Sequence, residues 1–99
     1  MISVWTARAE LELYDIIDYI AKDKPLAAYR WGERLVERAV AAASMKNSGR
    51  IVPEIGRPEI REVIVEGYRI IYRVAEATIR VWTVLEGHRR VASDLDLDA

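Results

Sequence analysis

Two arginines follow the lone histidine of this chain, in the string Glu86-Gly87-His88-Arg89-Arg90. An imidazole titrates near neutral pH and moves protons, and a guanidinium grips a phosphate at two points, so the trio suits phosphodiester chemistry. The same residues also describe an exposed strand end, because a general acid or base needs a positioned partner that spacing alone does not supply. No Gly-rich phosphate loop, metal-ligand cluster or nucleophile elbow accompanies them. Cysteine is absent, which excludes disulfides, thiolate zinc sites and cysteine nucleophiles; with a single histidine besides, neither metal nor cofactor is expected.

The elements that must carry these residues follow from periodicity. Residues 2 to 6 are β-prone and predict a short first strand. From Ala7 to about Lys22, Ala9, Leu13, Ile16, Ile17 and Ile20 recur at helical spacing, with Glu10, Asp15 and Asp18 on the other side. Asp23-Lys24-Pro25 breaks that pattern, and Pro25 opens a second helix whose stripe is Ala28, Trp31, Leu35, Ala39 and Ala42. So short a connection makes the helices an antiparallel hairpin. Residues 46 to 59 concentrate Gly and Pro without periodicity and read as a long, partly extended loop, a feature more often functional than accidental. Three β-rich runs follow, Ile60 to Val65, Tyr68 to Val74 and about Ile79 to Leu85, and predict a meander. Trp5, Tyr14, Tyr19 and Trp31 read as core or core-rim aromatics, since they lie on or beside helices.

Composition sets the outer bounds. Ninety-nine residues, 52% apolar and 31% charged, describe one ordinary folded domain rather than a disordered chain. We assign residues 1–92 to that domain and 93–99 to a solvated, disordered acidic tail. No apolar run is long enough for a membrane span, and the start lacks the pattern of a signal peptide, so the cytoplasm is the expected compartment. Fifteen basic residues stand against sixteen acidic ones; without the three acids of the tail the balance is fifteen against thirteen, about +2. That is little for a nucleic-acid binder and favours a protein partner.

A two-residue turn at Glu66-Gly67 places Val65 opposite Tyr68, Val63 opposite Ile70 and Arg61 opposite Tyr72. A four-residue connection after Val74 then adds Val81, Thr83 and Leu85 to that face, which should pack on the helices. The other face would hold Glu62, Ile64, Arg69, Ile71, Arg73, Arg80, Trp82 and Val84. Solvated sheet faces are normally polar, whereas partner-binding patches mix apolar area with Trp and Arg, so this face is expected to stand open for docking.

Element order and local strings together resemble the RelE/ParE superfamily of type II toxins, from Val4 to Arg90. The strings are Trp5-Thr6-Ala7-Arg8-Ala9-Glu10-Leu11, Tyr19-Ile20-Ala21, Pro25-Leu26-Ala27-Ala28, Gly49-Arg50-Ile51-Val52-Pro53-Glu54, Ile60-Arg61-Glu62 and, most specific, Tyr68-Arg69-Ile70-Ile71-Tyr72-Arg73-Val74. The resemblance implies an α+β fold, an N-terminal strand and an antiparallel helical hairpin packed on an antiparallel sheet that ends in the three-stranded meander. It also implies a growth-arresting toxin in a hetero-oligomer with a cognate antitoxin, whose C-terminal segment wraps the helices and sheet.

In the RelE branch such toxins are ribosome-dependent messenger-RNA nucleases; in the ParE branch they poison DNA gyrase. Arg69 matches the arginine that nucleases of the first branch carry, with His88 and Arg89 as its companions. Where that branch places lysines, this chain has Ile60-Arg61-Glu62-Val63-Ile64, and Glu62 shares a face with Arg69. A carboxylate there repels a scissile phosphate and competes for the guanidinium. The expectation is therefore a ParE-like protein that acts by contact, with ribonuclease action and a toxin fold that binds only its antitoxin as the alternatives. The partner surface expected is Arg61, Glu62, Ile64, Arg69, Ile71, Arg73, Arg80, Trp82, His88, Arg89 and Arg90.

Overall fold

The computed structural model describes residues 2–45 and 49–97. The chain runs β1 (Ile2–Trp5), α1 (Ala7–Ala21), α2 (Pro25–Ser44), β2 (Arg50–Ile51), β3 (Ile60–Val65), β4 (Tyr68–Ala75) and β5 (Thr78–Glu86). The strands form one sheet in the order β1-β5-β4-β3-β2. β3 to β5 form the antiparallel meander expected, and β2, within the segment read as a loop, adds to β3 antiparallel, but β1 pairs with β5 in parallel, because the helical hairpin returns the chain to the far edge before the meander begins.

Thr6 joins strand to helix. Its hydroxyl oxygen accepts from the Ala9 N–H at 3.1 Å, capping α1, and its O–H donates to the Trp82 carbonyl at 3.0 Å. The expected turn before α2 is also present, with Pro25 in the first helical turn, where its missing N–H costs nothing. Gly32 lets the helices approach closely: a Cβ there would meet Ile17 Cδ1 at 2.8 Å. Ala9, Leu13, Trp31, Leu35 and Ala39 pack on Val65, Ile70, Tyr72, Ile79, Val81 and Val84 as the main core. Trp31 meets Tyr68 edge-on, ring centroids 5.2 Å apart, whereas Tyr14 and Tyr19 are exposed rather than core-rim residues, Tyr19 at the rim of a cleft between α1 and β5.

The β3–β4 register is the expected one, closed by Glu66 and Gly67, both with positive φ as a two-residue hairpin turn requires. The next hairpin differs. It turns at Glu76-Ala77, and a bulge between the Ile71 and Tyr72 pairs adds one residue to β5. The extra residue exchanges faces beyond it, so Val84 joins the helix-side core and Leu85 the opposite cluster, the reverse of the expectation. Glu12 of α1 accommodates the irregularity by accepting from the Thr83 hydroxyl at 2.7 Å and the Val84 N–H at 3.2 Å.

The opposite sheet face is not open as expected. Val52, Ile60, Ile71, Trp82 and Leu85 form a second buried cluster, covered by Ile55 of the β2–β3 loop and by Val91, Leu95 and Leu97 of the C-terminal segment. Glu62, Arg69, Ile71 and Trp82 are thereby sealed, at 1%, 4%, 0% and 2% exposure, because apolar residues beyond β5 fold back over them. Residues 93–97 are thus a strap in place of the solvated tail expected there; Asp98 and Ala99 lie outside the described residues, as do loop residues 46–48. Replacing Thr6 with Ala removes the cap of α1 and its link to β5. It should cost about 1–2 kcal/mol in urea unfolding; a midpoint equal to wild type would show that the cap carries no stability.

Candidate functional site

Arg69 lies at the start of the central strand β4, facing the covered side. Its Nε donates to Glu62 Oε1 at 2.7 Å, and its two terminal nitrogens grip Glu54 at 2.6 and 2.8 Å. Nη1 also donates to the Arg89 carbonyl at 2.9 Å. Glu62 comes from β3 and also accepts from Arg50 Nε at 2.6 Å, while Glu54 comes from the turn after β2 and also accepts from the Val91 N–H at 3.0 Å. One guanidinium therefore ties β4 to β3, to the β2–β3 loop and to the C-terminal strap.

The electrostatics agree with that geometry. The hydrogen bonds from Arg69, aided by the Val91 N–H, hold the Glu54 carboxyl at about 2 against the opposing effect of burial. Glu54, chiefly, and then Glu62 push the Arg69 guanidinium upward despite burial. A charge this deep is stable only because its hydrogen-bonding capacity is met by opposite charge.

The remaining expected site residues divide into four groups. His88 is almost wholly exposed, its Nε2 3.9 Å from Glu86, and it is not brought to Arg69. The Arg89 main chain reaches Arg69, but its side chain lies with Arg90 along a cleft of about 360 Å³ between α1 and the end of β5. Arg61 binds the Pro58 carbonyl at 2.7 Å and packs along the loop, while Ile64 remains exposed on the covered side's margin. Arg73 and Arg80, in register on β4 and β5, stay at the surface near the β4–β5 turn. Glu54 is the residue that sequence reasoning missed. Its signal was its place in a Gly/Pro-rich loop facing a strand arginine, but loop closure over the sheet is not encoded in any period.

With this arrangement established, similarity to known proteins decides the family. The family model described as the ParE toxin of the type II toxin–antitoxin system parDE matches residues 4–91. This chain is a member of the RelE/ParE superfamily of type II toxins. Toxin RelE2 of Caulobacter vibrioides is 38% identical over 79 residues, spanning 79% of this chain and 85% of its own. A solved structure described as a chromosomal ParDE system from P. aeruginosa shares the fold, with a TM-score of 0.68 and 22% identity over 87% of this chain and 95% of that one. Membership implies a cognate antitoxin as partner of this toxin. Among its described residues, no helix is long and apolar enough to cross a membrane.

Two outcomes follow for the toxin. Arg69→Ala leaves Glu62 buried and short of a partner, and should destabilise the fold by about 3–5 kcal/mol in denaturant unfolding; a loss below about 1 kcal/mol would contradict the brace. The Glu54 carboxyl sits lower in the folded chain, at about 2, than its ordinary 4.5. Its contribution is therefore complete above the ordinary value and lost as pH falls from 4.5 to about 2, on the order of 3 kcal/mol. Thermal unfolding across that range should show the loss in wild type and a flatter profile in Glu54→Gln; parallel profiles would refute it.

Proposed function

We propose that this toxin arrests growth by binding and poisoning DNA gyrase, with its cognate antitoxin as the neutralising partner. The observation that carries the reading is the sequestration of Arg69. A nuclease of the RelE kind would need that guanidinium for the scissile phosphate, and here it is committed to two carboxylates and a carbonyl. A phosphate entering the site would meet Glu54 and Glu62 as well as Arg69, and like charges at that distance oppose its approach. Among the described residues His88 and Arg69 are not brought together as proton donor and phosphate clamp, and a mechanism that works by contact needs no such set. The ParE description of the family model points the same way. Gyrase works in the cytoplasm, so the reading requires the toxin there.

Two observations favour ribonuclease action: the 38% identical relative bears the name RelE2, and His88 and Arg89 are exposed beyond β5. The two readings separate in one experiment with purified toxin. Added to gyrase and relaxed plasmid, it should block supercoiling and accumulate cleaved DNA, and added to a translating extract it should leave messages intact. Normal supercoiling together with message cleavage that disappears in His88→Ala would replace the gyrase reading with the nuclease one. No effect in either assay, with growth unaffected on induction, would identify a fold that only binds antitoxin.

A further inference from the structure

Loop and strap leave part of the far sheet face uncovered, next to the β4–β5 turn. Arg73 of β4 and Arg80 of β5 are directly opposed in the ladder, so their side chains leave the sheet on the same face. The pairing brings two guanidinium groups to one stretch of surface. Arg80 holds its guanidinium carbon 5.7 Å from the centroid of the Trp82 ring, a cation–π contact that restrains an otherwise flexible side chain. These three, with Glu76 and Thr78, line a cleft of about 340 Å³. Trp82 is buried, and among the described residues its indole N–H has no hydrogen-bond acceptor, unusual for a buried donor. Val4 of the edge strand β1, in register with Arg80 and 41% exposed, adds apolar surface beside Arg80, outside the cleft lining.

Two guanidinium groups on one face, Arg80 restrained by the Trp82 ring, suit a carboxylate, which accepts from both, and Arg and Trp are the residue types that dominate interface hot spots. A nucleic-acid phosphate chain fits less well. Glu76 lines the same cleft, Glu59 is within electrostatic reach of Arg73, and a polyanion calls for a longer run of cations. We infer that the Arg73–Arg80–Trp82 cleft is the docking subsite for an aspartate or glutamate side chain of the cognate antitoxin, with an apolar neighbour from the same segment resting on Val4. The inference uses family membership, which supplies the partner, and does not depend on which target the toxin attacks.

Calorimetric titration of the toxin with the antitoxin encoded in the adjacent reading frame tests it, using wild type, Arg73→Glu, Arg80→Glu and the double reversal. Arg73→Gln/Arg80→Gln is the milder companion in case reversal disturbs the hairpin, and thermal unfolding confirms that each variant is folded. Each single reversal should weaken binding about tenfold and the double about a hundredfold. One Asp or Glu to Arg change in the antitoxin should restore affinity for the reversed toxin while weakening it for wild type. The inference is overturned if the folded double variants bind within about twofold of wild type, or if no acidic position in the antitoxin gives rescue. It is equally overturned if the substitutions abolish binding to a single-stranded oligonucleotide and leave antitoxin affinity unchanged.

Discussion

A guanidinium removed from water must be enclosed by groups of opposite charge, and that requirement at Arg69 organises half of this molecule. The main core, helices on sheet, would form from apolar periodicity alone. The second layer has no such simple origin: a loop and a C-terminal strap, neither with regular structure, cover the opposite sheet face. Four hydrogen bonds from Arg69 fix where they lie, through Glu62 on the neighbouring strand, Glu54 in the loop and the Arg89 carbonyl at the start of the strap. The Val91 N–H closes the circuit back to Glu54. Ile55, Val91, Leu95 and Leu97 then supply the apolar area that makes closure favourable. Buried charge alone is weak support for stability; here it acts as a locator, selecting one arrangement of segments that apolar contact alone would leave free to slide.

That structural commitment bears on function. A side chain cannot both neutralise the buried Glu62 and the half-buried Glu54 and receive a phosphate without a rearrangement that strips those carboxylates of their partner. The chemistry that sequence suggested at Arg69, His88 and Arg89 therefore does not converge: Arg69 is sealed, His88 stands in solvent, and Arg89 contributes its main chain. What remains available is surface chemistry, arginine and aromatic groups near the β4–β5 turn and mixed charge in the cleft beside α1. Surfaces of this kind recognise proteins, in keeping with a family whose members pair with antitoxins.

The helices, the three long strands and the β3–β4 register were legible because each has a period that one face of burial imposes. Asp23-Lys24-Pro25 and Glu66-Gly67 marked turns through backbone constraints that hold in any context. The faces of β5 were misread because one bulged residue exchanges them, and nothing in Trp82-Thr83-Val84 signals it; the compensating carboxylate, Glu12, lies on a different element. The parallel pairing of β1 was not legible either, being set by where the hairpin delivers the chain. The mixed Arg/apolar face was expected to stand open for docking. Most of it is instead an interior built around an ion cluster, with Ile64 at one margin and the Arg73–Arg80 end left at the surface. The alternating Leu95 and Leu97 gave a period of two, which among aspartates looked like a solvated tail, yet they are the apolar side of the strap.

The central claim is that Arg69 braces the fold and takes no part in chemistry on a phosphate. Induced expression of the Arg69→Met/Glu54→Gln/Glu62→Gln variant, which removes all three charges while keeping volume, tests it most directly, with far-UV dichroism and thermal unfolding to establish that the variant is folded. The account predicts growth arrest as strong as that of the wild-type toxin. A folded variant that no longer arrests growth would contradict it.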